Sequence, residues 1–325
     1  MVRHEILQIL AKYPAEYVSG EKISLQLNIS RAAVWKQVKV LKEEGFDIEA
    51  QTKKGYRLLK TPLSLHEWVI KQALATTSLG HVIYLEDELE STNVRAKELV
   101  RQGGVHGQLV LARSQSGGRG RLLRQWESPK GGLWMSVILR PNLSLADASK
   151  LTLVASIAIV DALENLTNLR VGIKWPNDLI FEGRKLGGIL GEVVGEWNTI
   201  QTLILGMGIN ANFSRELLGS LQATTLLEIL GYEIDLNELT AAILKYLEIG
   251  LKDLEANKFE DLRSNWTEKA VGIGQEVKVL RGEQVFCGVF KGITLDGELL
   301  LETEKGESKF SAGEVQLRSK LDYYF

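Results

Sequence analysis

The stretch LVLARSQSGGRGRLLRQWESPKGGLWMSVIL, residues 109–139, places a loop rich in glycine and arginine between two apolar segments. Leu109–Arg113 and Leu133–Leu139 have the length and the Val, Ile and Leu content of β-strands. The loop Ser114–Trp126 is too polar to form a core, and its arginines are suited to phosphate or carboxylate oxygens. The alternative is a disordered basic loop. The stretch therefore predicts an anion-binding loop held between two strands.

Strands and helices alternate on both sides of this loop. Before it, a strand is predicted at Tyr84–Leu85 and a helix at Thr92–Gln102. After it comes a long amphipathic helix, Leu145–Leu166. Further strands and helices are predicted at Val171–Lys174, Lys185–Val194, Thr202–Asn210, 235–254 and 257–268. Such alternation predicts a mixed α/β layer domain.

The helical period disappears from about Val271 onward. Short β-type segments take its place, and they are predicted at Glu276–Leu280, Gln284–Ile293, Leu299–Glu302 and Glu307–Ser311. Tight turns at Arg281-Gly282 and Asp296-Gly297 separate them, and short strands joined in this way predict a small β-barrel. Thr61-Pro62 marks an earlier boundary, because proline interrupts a helix or a strand.

Three short helices and a hairpin are predicted in the N-terminal segment. The helices are predicted over 3–12, Glu21–Leu27 and Arg31–Glu44, with Ser19 or Gly20 as the N-cap of the second and Ser30 as the N-cap of the third. Asn28 lies in the turn between them and adopts the left-handed conformation more readily than most residues. Gly45 ends the third helix.

The third helix divides into two faces of different chemistry. Val34, Val38 and Leu41 share an apolar face, whereas Ala32, Lys36 and Lys39 lie opposite, with Trp35 at the margin. This is the division that a DNA-recognition helix needs. The hairpin strands Ile48–Gln51 and Tyr56–Leu59 flank Lys53-Lys54-Gly55, a basic tip suited to phosphates. The alternative is a three-helix module that binds protein and has a solvated lysine face.

Composition limits the class of protein. The chain has 325 residues, of which 45% are hydrophobic and 25% charged, as expected for two or three globular domains. One cysteine, Cys287, excludes an internal disulfide, no signal-peptide core is evident in 1–13, and a cytoplasmic location is expected. Residues 1–60 contain eleven Lys or Arg against seven Asp or Glu, and the rest contains 28 against 34. This split is compatible with an N-terminal segment that faces nucleic acid.

Two further motifs carry candidate ligand residues. Lys174-Trp175-Pro176-Asn177-Asp178 precedes a strand that opens with Lys185, and a lysine there is costly to bury unless it meets an anion. The alternative for Lys185 is a solvated lysine at a strand end. In Gly206-Met207-Gly208-Ile209-Asn210, the missing side chains let the backbone approach a ligand, or they mark a β-bulge.

In their order along the chain, these motifs resemble the biotin–protein ligase family, and the helix-turn-helix resembles that of the bifunctional biotin ligases that are also biotin operon repressors. The resemblance rests on Ser91-Thr92-Asn93, Gln115, Gly118–Trp126, Lys174–Asp178, Arg184–Leu190, Gly206–Asn210 and the helix-turn-helix of Ser19–Leu41. It implies an α+β multidomain fold. The implied domains are a winged helix-turn-helix over 1–62, a central mixed α/β ligase domain of the biotin/lipoate ligase type over 63–270, and a small SH3-like β-barrel over 271–325.

The resemblance also implies roles for individual residues. Biotin is expected at Ser91, Thr92, Asn93, Gln115, Arg119, Gly120, Arg121 and Lys185, with Lys185 and Arg121 catalytic. ATP is expected at Lys174, Asn177, Asp178, Asn210, Arg318 and Trp126. DNA is expected at the helix-turn-helix Gly20–Lys39, especially Ser30, Arg31, Ala32, Trp35, Lys36 and Lys39, with Lys53 and Lys54 of the wing.

The implied reaction joins two anions. The biotin carboxylate attacks the α-phosphate of ATP, and a lysine of the acceptor protein then displaces AMP from biotinyl-adenylate. A cluster of Arg119, Arg121 and Lys185, with Mg²⁺ that arrives on ATP rather than at a dedicated protein site, would lower the barrier. The implied partners are the biotin carboxyl carrier protein of acetyl-CoA carboxylase, operator DNA with biotinyl-AMP as corepressor, and a second copy of the chain in a ligand-linked homodimer.

One position departs from the family pattern. Leu123 stands where the loop usually has a second glycine, and leucine disfavours positive φ. Leu123 is therefore expected to carry the strain of the loop. Two competing functions stay open, which are a lipoate–protein ligase and a ligand-sensing transcription factor without ligase activity.

Overall fold

The computed structural model describes residues 2–14, 16–144, 147–194, 202–220, 222–311 and 315–319. The chain divides into two units. Met1–Gln72 and Asp235–Asn237 form the first, and Ala73–Ile234 and Glu238–Phe325 form the second. The three predicted domain ranges stay a prediction beside this division.

The first unit begins with three helices around an apolar core. They are α1 Val2–Ala11, α2 Gly20–Leu27 and α3 Arg31–Glu43. Ser19 and Ser30 cap α2 and α3, because their hydroxyls accept from Lys22 N and Ala33 N at 3.1 Å. Asn28, at φ 52° and ψ 45°, makes the left-handed turn as predicted. The core contains Ile6, Leu7, Leu10, Ile23, Val34, Val38 and Leu41.

A two-stranded wing follows α3. Strands β1 Asp47–Gln51 and β2 Gly55–Lys60 pair antiparallel. Val18 and Tyr56 exchange two backbone hydrogen bonds of 2.8 and 2.9 Å, which tie the wing to the segment before α2. Gly55 has a φ of 119°, and a Cβ there would lie 2.1 Å from Val18 O. The close approach of these two segments therefore requires glycine.

The second unit is built on a seven-stranded sheet. Its strands are β3 Ile83–Leu89, β4 Leu109–Gln115, β5 Leu133–Leu139, β6 Gly172–Lys174, β7 Asp178–Phe181, β8 Arg184–Val194 and β9 Thr202–Ile209. Their order is β3-β4-β5-β9-β8-β7-β6, with β3 and β4 parallel and all other pairs antiparallel. Every residue of β5 is buried. This strand is therefore covered on both faces, and the strand predicted at Leu133–Leu139 is confirmed.

Helices cover the two faces of this sheet. Of the remaining helices, α4 Glu67–Ala73 belongs to the first unit up to Gln72. The others belong wholly or mainly to the second unit, and they are α5 Thr92–Arg101, α6 Ala148–Thr167, α7 Leu226–Leu230, α8 Leu236–Glu255 and α9 Phe259–Lys269. A Cβ at Gly191 would meet α6, and one at Gly206 would meet α5. Gly206 pairs with Leu190, and because Leu190 and Gly191 point to opposite faces, α5 and α6 cover opposite sides. The predicted start of α6 at Leu145 lies outside the described residues.

The second unit ends in a five-stranded antiparallel sheet. Its strands are β10 Glu276–Arg281, β11 Gln284–Ile293, β12 Leu299–Thr303, β13 Gly306–Phe310 and β14 Val315–Ser319, in the order β13-β12-β11-β10-β14. Gly282 and Gly297 take positive φ in the two predicted turns. Elements α4, α7, β7 and β14 were not predicted. Among the described residues, no helix combines the length and apolar character needed to cross a lipid bilayer.

Candidate functional site

A cavity of about 460 Å³ opens in the second unit beside the loop 118–126. All the residues proposed for biotin and ATP from the sequence line it. These are Ser91, Thr92, Asn93, Gln115, Arg119, Gly120, Arg121, Trp126, Lys174, Asn177, Asp178, Lys185, Asn210 and Arg318. Residues up to 227 positions apart in the chain therefore meet at one surface.

Trp126 folds the loop back on its own start. Trp126 N donates to Gly118 O at 2.9 Å, and Gly120 N donates to Arg124 O at 2.7 Å. A Cβ at Gly118 would lie 2.3 Å from Trp126 O, so this closure requires glycine. Two loop arginines already meet oxygen atoms, since Arg119 lies 2.6 Å from Glu90 Oε1 and Arg121 Nη1 lies 3.1 Å from Asn177 Oδ1.

The strained residue of the loop is Leu122, and the expectation that Leu123 carries this strain is wrong. Leu122 has φ 55° and ψ 38°, whereas Leu123 ends the short 3-10 turn Arg121–Leu123. The left-handed position thus lies one residue before the expected glycine. The Leu122 side chain is 60% exposed, so packing does not explain the choice of leucine.

One part of the cavity, the cationic end, is formed by Lys174, Asp178, Lys185 and Arg318. Lys185 Nζ lies 2.6 Å from Asp178 Oδ1 and 4.9 Å from the centre of the Trp126 ring. Lys174 is 2% exposed. Burial, with repulsion from Arg318 and Lys185 against the attraction of Asp178, lowers the pKa of Lys174 to about 7. Burial also lowers the pKa of Arg121.

Another part, the neutral end, is formed by Ser91, Thr92, Asn93 and Gln115 around the start of α5. Ser91, Thr92 and Asn93 are all buried. Ser91 precedes the helix, but its hydroxyl makes no capping hydrogen bond. Gln115 Oε1 accepts from Thr92 N at 2.8 Å, so a side chain satisfies a backbone donor of the first helical turn.

The glycines of β8 and β9 make room for side chains of the chain itself. A Cβ at Gly206 would lie 2.3 Å from Asn93 Oδ1, and one at Gly208 would lie 2.8 Å from Trp126 Nε1. Gly188 also faces the Trp126 ring, with a Cβ distance of 3.4 Å. The glycine pair was expected to let the backbone approach a ligand. Its first effect is to admit Asn93 and Trp126 to the cavity wall.

The segment Gln222–Thr224 borders the cavity and was not predicted. Lys185 N donates to Gln222 O at 2.8 Å, and Thr224 N donates to Lys185 O at 3.0 Å. Asn210 Nδ2 donates to Thr224 O at 3.0 Å. This strap, 222–224, runs along the start of β8. It lies in the connection between β9 and α7 and carries no periodicity, so the sequence offered no signal for it.

The candidate DNA surface lies on the first unit. Ser30, Arg31, Ala32, Trp35, Lys36 and Lys39 are exposed on one side of α3, and Lys53 and Lys54 are exposed at the wing tip. Trp35 is 61% exposed, which is unusual for a large aromatic side chain. The structure thus gives α3 the apolar and exposed faces that the sequence predicts.

Three family models match parts of the chain. The HTH domain matches residues 2–57, the Biotin/lipoate A/B protein ligase family matches 86–210, and the Biotin protein ligase C terminal domain matches 272–318. Bifunctional ligase/repressor BirA of Bacillus subtilis (strain 168) is 37% identical over 322 residues, which are 97% of this chain and 98% of that protein.

This chain belongs to the biotin protein ligase family. Bifunctional ligase/repressor BirA of Escherichia coli (strain K12) is 33% identical over 318 residues, 97% of each chain. Among solved structures, biotin protein ligase from Aquifex aeolicus in complex with biotin and ATP superposes with a TM-score of 0.64 at 34% identity, covering 74% of this chain and 100% of that chain. The predicted family and α+β multidomain fold class are confirmed.

Family membership does not assign the cavity residues one by one. Several lining residues were absent from the sequence prediction, among them Arg124, Glu127, Leu218, Ser220 and Gln222. Arg124 lies in the loop 118–126 and Glu127 follows it directly, so both could have been inferred from the sequence. Gln222 begins the strap, and Leu218 and Ser220 lie in the connection just before it. The tertiary fold, and not a local pattern, brings these three residues to the cavity.

Proposed function

We propose that this chain is an ATP-dependent biotin–protein ligase and a biotin-dependent DNA-binding repressor. In this proposal it forms biotinyl-5'-AMP and transfers biotin to a lysine of biotin carboxyl carrier protein. The observation that carries the ligase is the division of the cavity into a neutral end and a cationic end. Biotin has a neutral ring that forms hydrogen bonds and a carboxylate that reacts with the phosphate of ATP. The neutral end of the cavity suits the ring, and the cationic end suits the carboxylate and the phosphate.

The first step places a carboxylate against the α-phosphate of ATP. Gln115 and Ser91–Asn93 would hold the biotin ring, and Lys174, Asn177, Asp178, Asn210, Trp126 and Arg318 would lie toward ATP. Lys185 and Arg121 would draw the two reacting anions together, because a partly desolvated cation attracts an anion more strongly than one in water. Pyrophosphate leaves, and the carboxyl carbon becomes the electrophile of a mixed anhydride.

Mg²⁺ bound to the phosphates would supply further charge neutralisation. Asp178 offers the type of oxygen that this ion takes, and no group of three His, Cys, Asp or Glu side chains with metal-ligand spacing occurs among the described residues. Asp178 would therefore be the residue that holds an ion arriving with ATP.

The second step requires access for one acceptor lysine and little water. The unprotonated amine attacks the carbonyl carbon of biotinyl-AMP, the C–O bond to the phosphate breaks, and AMP leaves with both electrons of that bond. The nitrogen loses one proton to solvent, which leaves the amide. Lys185 would stabilise the carbonyl oxygen while negative charge develops on it. The loop 118–126, closed by Trp126 and Gly118, would exclude the water that hydrolyses the anhydride.

The decisive measurement is pyrophosphate release from ATP with biotin and with lipoate, in parallel. We expect release with biotin and not with lipoate, followed by a mass increase of a carrier domain. Release with lipoate alone would identify a lipoate-type ligase. Release with neither ligand, from protein that binds DNA in response to biotin, would identify a sensor and overturn the ligase proposal.

The repressor part of the proposal rests on the exposed face of α3 and the basic wing tip. A single recognition helix covers one half-site, so a homodimer linked to biotinyl-AMP binding would supply the second. A cytoplasmic location belongs to the same proposal, because operator DNA and the carrier protein are found there and a lone cysteine suits a reducing compartment.

A further inference from the structure

A chain of hydrogen bonds leads away from the neutral end of the cavity into the protein. Ser136 Oγ, wholly buried on β5, lies 2.7 Å from Thr92 Oγ1 and 2.6 Å from Asn93 Oδ1. Asn93 Nδ2 lies 2.8 Å from Glu192 Oε2 and 3.4 Å from Leu190 O. Glu192 Oε1 lies 2.6 Å from Lys97 Nζ. Ser136, Glu192 and Lys97 are not part of the cavity wall described above.

The positions of the hydrogens in this hydrogen-bond chain follow from the end at Glu192 and Lys97. Glu192 pairs with the Lys97 ammonium and therefore only accepts, so the Asn93 atom that faces it must be the amide nitrogen. The amide oxygen of Asn93 then faces Ser136 and needs a donor. Ser136 has one hydrogen, which must go to Asn93. The hydrogen between Ser136 and Thr92 must therefore come from Thr92.

Thr92 is left with lone pairs only. Its single hydroxyl hydrogen is directed at Ser136, so toward the cavity the oxygen can accept a hydrogen bond but cannot donate one. An N–H group of a ligand satisfies it, whereas an ether oxygen or an unprotonated ring nitrogen in the same place repels it.

Gln115 has the opposite polarity beside it. Its oxygen is directed at Thr92 N at 2.8 Å, and its nitrogen donates to Ser128 Oγ at 2.8 Å, while Ser128 donates to Trp126 O at 3.0 Å. The amide nitrogen has two hydrogens, and one of them is not used in these contacts. Both residues line the cavity, and an acceptor at Thr92 with a donor at Gln115 would complement an N–H next to a C=O.

We propose that Glu192, Asn93 and Ser136 form a directional hydrogen-bond chain that fixes Thr92 as an acceptor and so selects a ligand with an N–H group at the neutral end. This inference deepens the proposed function and rests on it, because the cyclic urea of biotin is the N–H and C=O group that the chain would select. Glu192 and Ser136 are positioning residues, since they act through Thr92 and Asn93.

Glu192→Gln reverses the chain at nearly constant size. The side-chain oxygen of the new Gln faces Lys97, and its NH₂ faces Asn93. The Asn93 amide then turns over, so that its oxygen accepts from this NH₂ and its nitrogen donates to Ser136. Ser136 donates to Thr92, and the Thr92 hydrogen becomes free to point into the cavity. Ser136→Ala frees the same hydrogen by removing its acceptor.

The test compares biotin with the two analogues in which one ring N–H of the urea is replaced by oxygen. Dissociation constants are measured by calorimetry on the full-length wild type, Glu192→Gln and Ser136→Ala, with thermal unfolding as a check of folding. Glu98→Gln is the matched control. Glu98 also lies on α5, where it pairs with Arg95 at 2.8 Å, but it takes no part in the hydrogen-bond chain. The readout is the ratio of analogue to biotin affinity, which a loss of stability alone does not change.

We expect wild type and Glu98→Gln to disfavour at least one analogue by about 100-fold, and both chain variants to reduce that ratio by about tenfold or more. The inference is overturned if the affinity ratio of both variants stays within about twofold of the wild-type ratio. It is also overturned if the wild type binds biotin but disfavours neither analogue. A wild type that does not bind biotin would instead refute the proposed function, and the inference would fall with it.

Discussion

Among single residues, Lys174 makes the cavity most sensitive to pH. Its pKa of about 7 leaves the ammonium half charged near neutrality. A bound polyphosphate favours the charged form and raises this pKa, so binding takes up a proton. The affinity for ATP should therefore be unaffected by Lys174 below pH 7 and fall by roughly tenfold per pH unit above it.

Calorimetry between pH 6.5 and 8.5, in buffers of different ionisation enthalpy, measures both the affinity and the proton uptake. Lys174→Met should remove this pH dependence and leave only that of ATP itself. Identical pH profiles for the two proteins would show that Lys174 does not titrate in this range.

Lys185 should matter more for catalysis than for binding. Its contact with Asp178 holds the ammonium where negative charge is proposed to develop, so Lys185→Ala should lose about 2 to 4 kcal/mol of transition-state stabilisation. The rate of pyrophosphate release and the biotin dissociation constant separate the two effects. Lys245→Ala, at an exposed lysine of the same unit, is the control. Adenylate formation within about threefold of wild type, in folded Lys185→Ala, would contradict the role.

The residues predicted for biotin and ATP line one cavity, whereas their conformations and hydrogen bonds were not predicted. The motifs that point to Ser91, Lys174 and Lys185 are local in sequence, so each could be read without knowing the fold. The φ of Leu122 could not be predicted in this way, because it depends on the hydrogen bond by which Trp126 closes the loop onto Gly118. The direction of the hydrogen bonds at Asn93 depends on Glu192, a residue nearly one hundred positions away, and no local pattern reports it.

Among elements, the loop 118–126 depends on a leucine in a left-handed conformation. A β-branched residue is poorly tolerated at positive φ, so Leu122→Val should open the loop and speed biotinyl-adenylate dissociation by about tenfold or more. Leu123→Val is the matched control, with an expected change of less than about threefold, because that position does not need positive φ. Off-rates and limited proteolysis of the loop, with and without biotin, give the result. Equal behaviour of the two variants would place the strain elsewhere.

The wing depends on one glycine. Gly55→Ala combines a positive φ with a Cβ 2.1 Å from Val18 O, so the hairpin must leave the segment before α2. Operator binding should fall at least tenfold, because the wing lysines lose their placement, at a strain cost of about 1 to 3 kcal/mol. Gly306→Ala is the control, since its φ of 108° is equally strained but no atom lies within 4 Å of the new Cβ. Unchanged DNA affinity in Gly55→Ala would show that the wing does not contribute.

Element prediction succeeded for the segments with the longest apolar patterns and missed several short ones, although the three-residue strand β6 was also predicted. Strand β5 and helix α6 have seven and twenty residues, and their apolar patterns repeat often enough to identify them. Strand β7 has four residues between two turns, and α7 has five, so neither completes a diagnostic period. Tertiary pairing with β6 and β8 forms β7, and that pairing is not visible in a local window.

For the whole molecule, DNA binding and biotin transfer should be separable by mutation but linked by ligand. Lys36→Ala and Lys39→Ala should each weaken operator binding, and each should reduce the salt dependence by about one counterion, if the lysine neutralises a phosphate. Biotin transfer should be unchanged, because neither lysine belongs to the cavity. Fluorescence anisotropy with operator DNA at several salt concentrations measures this.

Linkage also works in reverse: if biotinyl-AMP tightens operator binding, operator DNA must tighten biotinyl-AMP binding by the same factor. Equal operator affinity of the free and the adenylate-bound protein would contradict a corepressor role. Loss of transfer in Lys36→Ala would contradict the separation of the two activities.

The position of Trp126 gives the protein an optical signal for its own reaction. Its indole lies against two glycine backbones, and the Lys185 ammonium lies 4.9 Å from the ring. A charge at that distance imposes an electric field on the ring, and indole emission shifts with the local field. If Lys185 turns toward a bound carboxylate, as its proposed role requires, the field across the ring would change. Each binding event and each turnover should therefore alter the intrinsic emission, so the reaction can be followed in real time without a label.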